Sequence, residues 1–91
     1  MKIIVSNHFI RFKKNVHKNL QLEMDELVKK ILENPEIGEL KKGDLRGIRV
    51  NKFNFKSQLY LVSYEVTGET LYLYVIGTHE NFYQRLKNLS Y

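Results

Sequence analysis

Between Leu20 and Glu33 apolar residues recur at helical spacing (Leu20, Met24, Leu27 and Ile31, flanked by Val28 and Leu32) and the pattern then stops at Asn34-Pro35. The spacing predicts an amphipathic helix with a single buried stripe, in which Met24 is core filling. Proline ends it, because it lacks the N–H a helix needs and disfavours helical backbone in the residue before it. Glu26, four residues ahead of Lys30, adds a small i,i+4 attraction. A helix with one apolar face must lie on something, and this requirement constrains the rest of the chain.

Upstream, Phe9, Phe12 and Val16 fall at i, i+3 and i+7, so residues 9–18 read as a second helix. Its outer face carries Arg11, Lys13, Lys14 and Lys18, while the isolated His8 and His17 read as ordinary surface or helix-end histidines. Ile3-Ile4-Val5 is a short β-prone run that begins at Lys2. The two helices together form a hairpin suited to lie across a sheet.

Downstream, residues 36–44 are glycines and charges with no apolar period and read as a loop. Residues 45–55 alternate as a strand, but Ile48 and Val50 point one way and Phe53 and Phe55 the other, which calls for a bulge or an edge position. Lys56-Ser57-Gln58 turns the chain into residues 59–66, where Tyr60, Val62, Tyr64 and Val66 share a face. Thr67-Gly68-Glu69 turns it again into a last strand from Thr70 to Ile76. The predicted fold is α+β, in the order β-α-α-β-β-β-α: a small, mostly antiparallel sheet with a helix hairpin on one face and the other face open.

At 91 residues there is room for one domain, residues 1–91. The absence of cysteine excludes a disulfide framework and a thiolate zinc site. The opening eight residues are too short and too soon polar for a signal peptide, and no apolar run approaches a membrane span; the expected setting is cytoplasmic, with no membrane partner. Fifteen Lys+Arg oppose ten Asp+Glu, a net of +5. Six bases (Lys41, Lys42, Arg46, Arg49, Lys52 and Lys56) fall between residues 41 and 56 against one acid, Asp44. That distribution predicts a positive surface on the open sheet face, suited to a phosphate backbone or to an acidic protein.

The densest chemistry follows the last strand, in Gly77-Thr78-His79-Glu80-Asn81-Phe82-Tyr83-Gln84-Arg85. Glycine permits a sharp exit from the strand, and Thr78 stands where a helix N-cap is wanted. His79 has a side chain whose unperturbed pKa, about 6.5, suits proton transfer near neutrality. Tyr83, one helical turn on, lies on the same side. Each residue also has a plainer reading. His79 fills the turn, Phe82 anchors the helix, Tyr83 packs on the sheet, Glu80 caps, and Arg85 complements the helix C-terminus.

The order of elements, with Leu32-Glu33-Asn34-Pro35, Leu45-Arg46-Gly47-Ile48-Arg49-Val50, residues 60–66 and Gly77 to Tyr83, resembles the RelE/ParE superfamily of bacterial type II toxins along nearly the whole chain. The resemblance implies a toxin neutralised by a cognate antitoxin that wraps over it. RelE-like members cut messenger RNA on the ribosome without a metal or cofactor, whereas ParE-like members poison DNA gyrase. His79 aligns with an end-of-sheet arginine or histidine of the RelE-like nucleases, and the His79–Tyr83 spacing is similar to the ending of the YafQ-type enzymes. On this resemblance the catalytic candidates are His79, Tyr83, Lys52 and Arg46, with Glu80 a second acid/base. Arg49, Lys56, Arg85, Lys41 and Lys42 are expected to contact nucleic acid. Two positions depart from the pattern: Leu61 and Val50 stand where RelE carries an arginine and a lysine. A metal-free mechanism leans on such cations, so their loss weakens the nuclease reading and keeps a gyrase inhibitor or an inactive, antitoxin-binding member as alternatives. A ParE-like member has no need of His79 with Tyr83, and that pair keeps the messenger-RNA endoribonuclease the expected function.

Overall fold

The structure is a computed structural model and describes residues 1–88, Asn81 by its backbone alone. Strand β1 (Lys2–Val5) leads into helices α1 (Asn7–Lys14) and α2 (Lys18–Glu33). Strands β2 (Glu39–Leu40), β3 (Arg49–Phe55), β4 (Gln58–Thr67) and β5 (Thr70–Thr78) follow, and helix α3 (His79–Lys87) closes the described chain. The sheet order is β1-β5-β4-β3-β2, with β1 parallel to β5 and every other neighbour antiparallel. The α+β class and the order β-α-α-β-β-β-α are therefore as the sequence predicts, with β2 added.

Helix α1 is shorter than its apolar spacing suggests. Ser6 caps it by accepting from the Phe9 N–H, the helix ends at Lys14, and Val16 packs from the connection. His17 opens α2 by accepting from the Asn19 N–H, a helix-end role, whereas His8 is half-buried and bonds the Ile76 carbonyl at 3.0 Å. Glu26 meets Lys29 rather than Lys30. Leu20, Met24, Leu27 and Ile31 form the predicted stripe and pack with Phe9, Val62, Tyr64, Leu71, Leu73 and Ile76 into the main core.

Three features of the sheet differ from expectation. Strand β3 is regular, with neither bulge nor conflict in its pairing with β4. Its two apolar sets serve two cores, since Phe53 and Phe55 pack toward the helix hairpin while Ile48 and Val50 face the other way. The second face is thus covered, not open: Phe82 and Leu86 of α3 seal Ile48, Val50, Leu61 and Val75 beneath them. A short helix with two apolar residues four apart cannot leave that stripe in water, and the alternate residues of three strands supply its partner surface. The register irregularity lies between β4 and β5, where Val62 pairs with Ile76 but Tyr64 with Leu73. This extra residue on β5 switches its alternation, so that Ile76 rather than Val75 joins Leu71 and Leu73 in the main core. Ser63, fully buried, bonds the Val75 N–H and carbonyl at the irregularity. The Lys56-Ser57 turn appears as predicted, with both residues at positive φ.

Residues 36–44 are also more ordered than a loop. Tyr64, 0% exposed, sends its hydroxyl out of the core to donate to the Pro35 carbonyl (2.6 Å) and to accept from the Gly38 N–H (2.9 Å). Burial pushes this phenol's pKa up, more than the Gly38 N–H and the Arg49 guanidinium lower it, so it stays a donor. A side chain at Gly38 has no room, since an added Cβ would lie 2.7 Å from that hydroxyl. Tyr64→Phe strands both backbone partners and is expected to cost about 1–3 kcal/mol of stability, read as a lowered urea midpoint with unchanged m-value.

Candidate functional site

Strand β5 continues through Gly77 to Thr78, so the glycine sits within the strand opposite Leu61 instead of turning the chain. Thr78 occupies the N-cap position but its hydroxyl makes no capping bond. The register puts Lys52, Leu61 and Gly77 in one cross-strand row on the α3 side of the sheet, and the space above Gly77 is open. His79, exposed, begins α3 at the end of this row.

One turn later Tyr83 meets His79 edge-on, with ring centroids 6.3 Å apart and planes at 75°, and also abuts Phe82 at 5.0 Å. The i,i+4 spacing read from sequence thus brings the two polar rings together on the flank of α3. Tyr83 is half-buried, packed by its ring against the second core. A third group arrives from the opposite end of the sheet. Lys41 follows β2, its N–H donates to the Ile48 carbonyl at 2.8 Å, and its ammonium stands 5.4 Å from the Tyr83 ring centroid. Partial burial would lower the Lys41 pKa, but hydrogen bonds to Tyr83 and Glu39 outweigh it and raise it, so the side chain is cationic at neutral pH.

The other predicted residues scatter. Lys52 shares the α3-facing side and is exposed. Arg46 and Lys42 are exposed at either end of the short 3₁₀ turn Gly43–Leu45, beyond the Ile48 end of the site. Arg49 lies across from Tyr64, on the helix-hairpin side, and donates to the Gly38 carbonyl (2.8 Å). It holds the backbone of residues 36–38 and is not part of the His79 group. Lys56 sits at the β3–β4 hairpin tip near the Phe55 ring. Arg85 is two residues past Tyr83, about 200° further round the helix, and so on the opposite flank. Glu80 is exposed in the first turn of α3, where a carboxylate complements the helix N-terminus. Among the described residues no group of histidines and carboxylates has the placement to hold a metal ion.

Leu61 and Val50 are both core residues beneath α3. A cation at either would lose its hydration under Phe82 and Leu86, which gives a physical reason for apolar residues there. Sequence reasoning missed Glu39, whose carboxylate lies 3.3 Å from the Lys41 ammonium. Its only signal was alternation with Lys41 in a stretch read as loop.

Residues 3–87 match the family model of ParE-like toxins of type II bacterial toxin–antitoxin systems, and the chain belongs to that family. It is a type II toxin of the RelE/ParE superfamily. Among solved structures, a free, doubly arginine-substituted E. coli RelE superposes with a TM-score of 0.72 at 15% identity, covering 94% of this chain and 90% of that one. A chain of the intact E. coli RelBE toxin–antitoxin complex gives 0.69 at 16% identity, covering 87% and 96%. The RelE mutant bound to a RelB antitoxin peptide gives 0.69 at 14% identity, covering 98% and 97%. At these identities the likeness is one of fold. No curated protein sequence matches the chain.

Restoring a cation on the central strand should therefore unseat α3 and fail as a gain of function. Leu61→Lys is expected to cost at least about 3 kcal/mol, from an unpaired charge in the second core, measured by urea unfolding followed by far-UV circular dichroism.

Proposed function

We propose that this toxin is a metal-independent endoribonuclease acting on messenger RNA at the ribosome, in the cytoplasm, as a single toxin domain restrained by a cognate antitoxin. The observation that carries the reading is the exposed edge where His79, Tyr83 and the Lys41 cation converge. In the proposed step His79 accepts the proton of a ribose 2′-OH, and the 2′ oxygen attacks the adjacent phosphorus. The bond from phosphorus to the 5′ oxygen breaks, that oxygen takes up a proton, and a 2′,3′-cyclic phosphate remains. Tyr83 positions the nucleotide by its ring edge and hydroxyl, and Lys52 and Arg46 hold phosphates on either side. Glu80, next to His79, is the reserve acid/base. In this reading Lys42 extends the phosphate track, while Arg49, Lys56 and Arg85 lie outside it.

A DNA gyrase inhibitor is the second reading, favoured by the ParE-like family model and by the apolar Val50 and Leu61. A member that only binds its antitoxin is the third. Induction in a bacterial host with primer extension of messages separates them. His79→Ala is expected to reduce cleavage at least about 100-fold, the usual range for a proton-transfer group. Growth arrest with intact messages would reject the nuclease and direct attention to supercoiling.

Support for the antitoxin comes from the RelE–RelB complexes among the relatives and from a groove on this chain. The groove, about 760 Å³, runs along α1 and α2 beside edge strand β1 and is lined by Ile3, Val5, Ile10, Met24, Val28 and Leu32. Ile3 and Ile10 are exposed there, an apolar surface suited to a helical peptide. Ile10→Asp is expected to weaken antitoxin binding at least tenfold by calorimetry while leaving message cleavage intact.

A further inference from the structure

Beside Tyr83 lies an ion pair of unequal partners. Glu39 pairs with Val50 and Lys41 bonds back to Ile48, so both side chains face the α3 side of the sheet. The Lys41 side chain is 21% exposed, held against the Tyr83 ring, whereas that of Glu39 is 68% exposed. The cation is thus fixed and its counter-ion stands in water. Exposed ion pairs of this kind are weak and readily exchanged for a better anion. A phosphate, with several acceptor oxygens, is a better anion for an ammonium than a single solvated carboxylate.

The position of Lys41 is also well determined. Its backbone follows the segment that Tyr64 and Arg49 clamp at Pro35, Glu36 and Gly38. Among the described residues, Lys41 is the cation that stands over the Tyr83 ring. Val50 and Leu61 on the central strands are closed under α3 and supply no cation to the site.

We propose that Lys41 is the phosphate anchor of the His79–Tyr83 site and that Glu39 is its resident counter-ion, displaced when an RNA phosphate enters. The assignment rests on the endoribonuclease reading. It gives the site a threshold: a single weak anion does not dislodge Glu39, whereas a polynucleotide, held also at Lys52 and Arg46, does. The anchor therefore comes from the β2 edge rather than from the central strands.

The test is cleavage of ribosome-bound message in a purified translation mixture, with KM and kcat followed against salt. Lys41→Met is expected to raise KM at least tenfold and to flatten the salt dependence by about one charge, as loss of one phosphate contact requires. Lys41→Arg keeps KM within about threefold, because a cation remains. Glu39→Gln lowers KM by severalfold, most clearly at low salt, where the carboxylate competes best. All three variants should melt near the parent temperature, and a Lys41→Met protein that is unfolded is replaced by Lys41→Gln. Parent-like cleavage by the Lys41 variant, alongside an inactive His79→Ala, overturns the anchor and leaves the nuclease standing. An unchanged or raised KM in Glu39→Gln overturns the counter-ion role. If the parent protein cuts no message, the nuclease reading fails and the anchor falls with it.

Discussion

The hydroxyl of Tyr64 is where the main core is tied to everything built at the sheet's outer edge. Its ring belongs to the packed interior, yet its oxygen bridges the Pro35 carbonyl and the Gly38 N–H, on either side of the turn that follows α2. Arg49, directly across from it on β3, takes the Gly38 carbonyl. Together they convert a charged, glycine-containing stretch into a short edge strand with a defined register. That register aims Glu39 and Lys41 at α3. A buried phenol between two backbone groups thereby sets the position of a lysine 23 residues away in sequence, because every link between them is a short hydrogen bond or a strand pairing.

The sheet gives both of its faces to apolar packing. On one side it meets the α1–α2 hairpin, on the other the short α3. The irregularity between β4 and β5 switches the alternation of β5, so that Ile76 joins Leu71 and Leu73 in the main core and Val75 joins the second. A second core has a consequence for chemistry. It occupies the centre of the face on which the basic sequence predicts a phosphate-binding surface, so charge is confined to the rim. Lys52 is exposed on one side of Val50, and Lys41 stands on the other. His79 and Tyr83 are presented by the helix that seals the face, so the groups with proton-transfer chemistry are held by the same packing that displaces cations from the centre.

Local pattern was enough wherever one element carried its own signal. The stripe of α2 and its stop at Pro35 were legible because helical periodicity and the proline's missing N–H act within a few residues. The three hairpin-linked strands were legible for the same reason, as was the His79–Tyr83 pair, since four residues make one helical turn. The reading faltered where two elements had to be weighed together. Ile48 and Val50 conflicted with Phe53 and Phe55 only on the assumption that the sheet had one buried face. Phe82 and Leu86 resolve the conflict, but nothing local in β3 refers to them. The basic residues from 41 to 56 looked like one patch because they are close in sequence; strand alternation sends Arg49 to one face and Lys52 to the other, and the hairpin carries Lys56 to its tip.

The sequence by itself determined the class of fold, the order of its elements, the helix stripe that must be buried and the pairing of an imidazole with a phenol at the end of the sheet. These follow from short-range sterics and periodicity. Only the tertiary structure decided that α3 closes the second face, that Leu61 and Val50 are core, that Arg49 holds the backbone after α2, and that Lys41, paired with Glu39, stands against the Tyr83 ring. Each of those depends on register and on contacts between residues far apart in the chain, where a shift of one position would exchange the two faces of a strand.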